Sequence, residues 1–135
     1  MPRSKLQLTP LELQIMKVLW EIGPGSVQAV QEKLPGERLA YTTVQTMLNI
    51  LQRKGKVARK LRGKAYEYRP VLSRERALRD ALGDMLDRMF GGSVEALLMS
   101  LVKSKQLDAK KLDKVQQLIE QYERGGTEDE HERNQ

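Results

Sequence analysis

The chain holds no cysteine, one histidine, one tryptophan and one phenylalanine in 135 residues. Without thiols there is no disulfide framework and no thiolate metal site, which fits a cytoplasmic setting and excludes thiol-based redox or metal sensing. The one histidine, His131, stands in an acidic terminal stretch, so a histidine-based triad or metal site has no second member. No apolar run approaches the roughly 18 residues of a membrane span, so no membrane insertion is expected. The opening MPRSKLQLTP has no apolar segment of signal-peptide length. Neither common glycine-rich phosphate loop occurs. Asp80, Asp84 and Asp87 could share a helix face, but Arg76, Arg79 and Arg88 interleave with them, which reads as a solvated, salt-bridged surface. No enzyme, cofactor or metal is expected.

Aromatic residues make up 4% of the chain, so its cores must rest on Leu, Val, Ile and Met. Charge is abundant and uneven. Met1 to Leu72 carries 13 Lys/Arg against 5 Glu, a net +8, whereas Ser73 to Gln135 carries 11 against 13 Asp/Glu, a net −2. A basic half joined to a mildly acidic one points to a polyanion-binding module followed by a second domain.

Within the basic half, three helices and a hairpin are legible. Thr9 and Glu12 form a T-x-x-E capping box with Pro10 at the first helical position, and Leu8 and Leu13 occupy the staple positions. Leu11, Ile15, Val18 and Ile22 follow as a stripe, with Leu19 and Trp20 beside it, until Gly23-Pro24-Gly25 ends the helix. Ser26 caps a second helix with Val27, Val30 and Leu34 on one face, closed by Pro35-Gly36. The third, YTTVQTMLNILQRKG, places Val44, Met47, Leu48 and Leu51 at i, i+3, i+4 and i+7. At about 100° per residue, Thr42, Thr46, Asn49 and Arg53 face the other way. Alternation in KVARKLRGKAYEYRP then predicts two strands around an Arg62-Gly63-Lys64 turn.

The outward face of that third helix is unusual because it is polar without being charged. Thr, Gln and Asn side chains hydrogen-bond base edges, and helix-turn-helix proteins read DNA with the first turns of such a helix. Thr42, Thr43, Gln45, Thr46 and Asn49 are the expected base contacts, and Arg53, Lys54, Lys56, Arg62 and Lys64 the expected phosphate contacts. The fold expected is mainly α with a small β-hairpin wing: a winged helix-turn-helix domain at 1–72, then a helical dimerisation domain at 73–124.

In that second domain Ser73 caps a helix with Leu78, Leu82, Met85 and Met89 at steps of four, three and four. Gly91-Gly92 breaks it, and a second stripe of Val94, Leu97, Leu98, Leu101 and Val102 follows. Asp108 caps a third helix bearing Val115, Ile119 and Tyr122. Three short helices of this size bury too little apolar surface to be stable alone. A symmetric homodimer is the usual remedy, with Leu78, Leu82, Met85, Met89, Leu97, Leu98, Leu101, Val115 and Ile119 at the interface. Residues 125–135 are polar and charged and are expected to form a disordered tail.

The segments LTPLELQIMKVLWEIGPGSVQAVQEKL, YTTVQTMLNILQRKGKVARK, GKAYEYRP and MFGG together resemble the penicillinase-repressor family, which includes methicillin-resistance and copper-responsive repressors. The resemblance runs from about Leu8 to Tyr122. It implies a winged-helix repressor that binds a palindromic operator in double-stranded DNA as a homodimer. Copper-responsive members carry C-terminal cysteines that this chain lacks. In the β-lactam branch a membrane-bound metalloprotease triggers cleavage in the dimerisation domain. Counted from Gly91-Gly92, the family's scissile Asn-Phe falls on Ser100 and Leu101, both of which differ from it. The rival expectation from another class is a winged-helix protein-interaction module, which an uncharged polar helix face and a basic wing disfavour.

Overall fold

The computed structural model describes the backbone of residues 8–134 and the side chains of residues 8–125. Its elements in chain order are α1 Pro10–Ile22, β1 Gly25–Ser26, α2 Val27–Lys33, α3 Tyr41–Arg53, β2 Val57–Arg62, β3 Ala65–Pro70, α4 Arg74–Phe90, α5 Val94–Lys103 and α6 Ala109–Asn134. Two compact units divide between Asp84 and Met85, within α4. That division lies beyond the 72/73 boundary expected from composition.

In the first unit, α1 opens as its capping box dictates: Glu12 N–H donates to Thr9 Oγ1 at 3.2 Å and Thr9 N–H to Glu12 Oε1 at 2.8 Å. Four of the thirteen core residues come from this helix, Ile15, Met16, Val18 and Leu19, while Leu11 and Ile22 pack at its margin. Ser26 caps α2 through Ala29 N–H at 3.1 Å. The connection over 34–40 is tied down by buried Gln31, whose Nε2 donates to the Leu39 carbonyl at 2.8 Å. From α3 come Val44, Leu48 and Leu51, all fully buried. Val57 of β2, Tyr68 of β3 and Leu72 complete the same core.

The sheet has three strands in the order β1-β3-β2, all antiparallel. Periodicity indicated only the hairpin, because β1 is two residues long and its pairing of Gly25 with Tyr68 is a tertiary contact. A side chain at Gly25 would meet Ile22 Cδ1 at 2.9 Å, so glycine lets this strand approach α1. The hairpin loop is Gly63-Lys64, since Arg62 pairs with Ala65. Gly63 has φ 64°, the left-handed value that type II′ turns require at their first loop position.

In the second unit, Gly91 and Gly92 both have positive φ and end α4, with Gly92 N–H donating to the Leu86 carbonyl at 2.9 Å. Ser93 caps α5 and Asp108 caps α6. No residue of α5 is buried. Helix α6 is assigned through Asn134, whereas its sequence signal ends near 124; the side chains of the expected tail from 126 onward lie outside the described residues. Asp84 is 5% exposed, so the solvated acidic row expected at Asp80, Asp84 and Asp87 is interrupted at its middle member.

Candidate nucleic-acid interface

Helix α3 is buried on one side and open on the other. Thr42, Thr43, Gln45 and Thr46 are exposed while Val44 and Leu48 between and below them are fully buried. Burial of Val44, Leu48 and Leu51 fixes the rotation of the helix about its axis, so the four polar side chains must face solvent. The helix opens at Ala40 with no side-chain cap, which leaves first-turn N–H groups available to an external acceptor.

Asn49 is placed differently from those four. Its Oδ1 accepts from Arg59 Nη1 at 2.9 Å and from the Tyr68 hydroxyl at 2.9 Å. Both acceptor lone pairs are therefore filled within the molecule. A bidentate adenine contact uses that oxygen, which in the free chain is engaged by the hairpin. Both donors belong to the hairpin. Tyr68 is 1% exposed at the centre of the sheet, and Arg59 lies with its guanidinium 4.3 Å from the centre of the Tyr66 ring. The register explains the stack: Arg59 pairs with Tyr68 and Leu61 with Tyr66, making Arg59 and Tyr66 diagonal neighbours. Sequence reasoning omitted Arg59, since its proximity to α3 arises only when the hairpin folds against the helix.

Two of the expected phosphate contacts, Lys54 and Lys56, are less open than the others. Lys54 Nζ lies 2.8 Å from Glu12 Oε2, and Glu12 is 1% exposed. A cation already neutralised by a buried carboxylate has little left to offer a phosphate. Burial raises the Glu12 pKa, but the Lys54 hydrogen bond, the Thr9 backbone N–H, the Lys54 charge and the Thr9 hydroxyl together outweigh it and hold the carboxyl below its ordinary 4.5. Lys56 is 7% exposed, and its carbonyl accepts the N–H groups of Val71 and Leu72 at 2.8 and 3.0 Å. Arg53, Arg62 and Lys64 remain exposed, with Arg62 in a loose 3.4 Å pair with Glu67 on the surface.

The dimer residues named from sequence lie largely open in the single chain. Leu78, Leu82, Met89, Leu98, Val115 and Ile119 are between 38% and 74% exposed. Met85, Leu97 and Leu101 are half-buried. Among the described residues no group of three or more His, Cys, Asp or Glu could hold a metal ion.

A family model described as penicillinase repressor matches residues 8–121. The chain is 22% identical over 117 residues to a penicillinase repressor of Bacillus licheniformis, covering 86% of this chain and 91% of that protein. It is 32% identical over 122 residues to the transcriptional regulator BlaI of Mycobacterium tuberculosis, covering 88% and 87% respectively. A solved structure described as a CopR repressor is 28% identical, covers 50% of this chain and 99% of that one, and superposes with a TM-score of 0.42.

Proposed function

The chain belongs to the penicillinase repressor family, a family of transcriptional repressors rather than enzymes, and on that premise we propose that it is a homodimeric repressor that reads a palindromic operator. The observation that carries this reading is the exposed row Thr42, Thr43, Gln45 and Thr46 on a helix locked in rotation by its buried side. These four contact bases, while Arg53, Arg59, Arg62 and Lys64 hold phosphates and set the register. The exposed apolar residues of α4, α5 and α6 support pairing with a second copy, because a monomer rarely leaves so many large apolar side chains in water.

For derepression we propose cleavage between Ser100 and Leu101 by a membrane-bound metalloprotease. That bond lies within α5, where the Ser100 carbonyl accepts Ser104 N–H at 3.0 Å. A protease needs extended backbone, so the last turns of α5 must open before cutting. No helix of the described residues is long and apolar enough to cross a membrane.

A fluorescence-anisotropy titration on DNA upstream of the protein's own gene, beside a scrambled duplex at equal salt, tests the reading. Sequence-specific binding is expected; equal affinity for both duplexes would refute it. Gln45→Ala should weaken specific binding by about 1–3 kcal/mol per base contact removed and leave non-specific binding unchanged. With about four phosphates per subunit, log K should fall against log salt with a slope of about −7. A slope near zero would remove the electrostatic contribution.

A further inference from the structure

Within the first unit, between α1 and the opening turns of α4, lies a cavity of about 380 Å³. Its size is at the lower end of the roughly 300–1,000 Å³ typical of small-molecule sites. Leu8, Leu13, Trp20, Leu72, Ala77, Leu78 and Ala81 supply its apolar lining. The space exists because Ala77 and Ala81 stand one turn apart on α4, where larger side chains would fill it. Trp20 donates its indole N–H to the Leu72 carbonyl at 2.9 Å, so its polar atom is satisfied and the rest of the ring is apolar wall.

Lys17, Arg74 and Asp80 also line the cavity. Among the described residues none of the three is claimed by an ion pair, so two cations and one anion leave one positive charge in excess. Arg74 is the first residue of α4, and the positive end of the helix dipole adds to that bias. An apolar chamber with one surplus positive charge at its edge is complementary to an apolar body bearing a single negative group.

We propose that this cavity binds a small amphipathic monoanion, an aromatic or branched apolar body carrying one carboxylate. The carboxylate pairs with Lys17 and Arg74, and the body lies against Trp20, Leu72, Ala77 and Ala81. Such a ligand touches both α1, which packs the recognition helix, and α4, whose Leu78 lines the cavity and whose Leu82 lies one turn further along toward the proposed dimer contact. Its occupancy therefore biases how the heads are presented to an operator. That regulatory consequence rests on the repressor reading; the binding itself does not.

The test uses the full chain without DNA, so its failure is distinct from failure of operator binding. The chain is titrated with 4-phenylbutyrate and, separately, with the uncharged 4-phenylbutanol, following emission of Trp20, the single tryptophan. One saturable site per chain is expected, with the alcohol at least roughly tenfold weaker, as loss of a charge-assisted pair implies. Lys17→Glu and Arg74→Glu, both at exposed positions, should each weaken the acid by a similar factor, and Ala81→Phe should abolish its binding. Equal binding of acid and alcohol, insensitivity to charge reversal or to Ala81→Phe, or no saturable binding would overturn the proposal. Binding seen only after removal of residues 1–7 would also overturn it, by making the chain's own N-terminus the occupant.

Discussion

A fragment ending at Asp84 will fold and will bind the operator roughly 10²–10⁴-fold more weakly than the full chain. Folding is expected because, among the described residues, every member of the buried core lies between Ile15 and Leu72, and the compact unit closes at Asp84. Loss of affinity is expected because the fragment lacks Met85, Met89 and all of α5 and α6, and with them most of the exposed apolar residues assigned to the second copy. Two heads joined through that contact bind as one ligand: once the first half-site is filled, the second head is held at high local concentration. A separated head has only its own base and phosphate contacts. The measurement is a paired anisotropy titration, with circular dichroism and urea denaturation to establish that the fragment is folded. A folded fragment with undiminished affinity would refute linkage through the C-terminal helices. An unfolded one would mean that the first unit depends on the second for its stability.

Lys54→Met will destabilise the first unit by about 1–2 kcal/mol, between the values for an exposed and a fully buried ion pair. An intermediate value applies because the Lys54 side chain is 37% exposed and the pair is partly screened, whereas Glu12 is 1% exposed and loses its cation. Glu12→Gln combined with Lys54→Met should recover most of the loss, since glutamine still serves the capping box and carries no charge to strand. The pH dependence has a definite sign. The folded state holds the Glu12 carboxyl below 4.5, so its stabilisation is present above that value and is lost as pH falls through the lower folded-state value. The stability difference between the natural chain and Glu12→Gln should therefore shrink as pH drops below 4.5. Urea denaturation across the acid range measures it; a constant difference would mean that the pair carries no folding energy.

The same pair shows where reading residues in order reaches its limit. The capping box of Thr9 and Glu12 is a local motif with fixed spacing, so the start of α1 was legible from four residues. That Glu12 also holds Lys54, 42 positions away, was not, because nothing in either segment's spacing refers to the other. Met16 illustrates a smaller gap. Its neighbours Ile15 and Leu19 marked the buried face, but the apolar arc of α1 is wider than the single stripe that the expectation allowed, and Met16 is fully buried.

What the sequence determined by itself was whatever depends on short-range geometry and on bulk composition. Helix period and caps place α1 to α6, strand alternation places the hairpin, and the rotation of α3 follows from Val44, Leu48 and Leu51, which leaves Thr42, Thr43, Gln45 and Thr46 outward. Charge counts alone separated a basic half from an acidic one. Only the tertiary structure decided which polar groups are still free to act. Asn49 has the right type and helical position for a base contact, yet Arg59 and Tyr68 from the hairpin occupy its oxygen. Lys54 and Lys56 have the right charge for phosphate, yet one is paired and the other buried. The third strand and the cavity beside Trp20 have the same origin. Each depends on residues brought together across long stretches of chain, where hydrogen-bond capacity and space are shared out by packing.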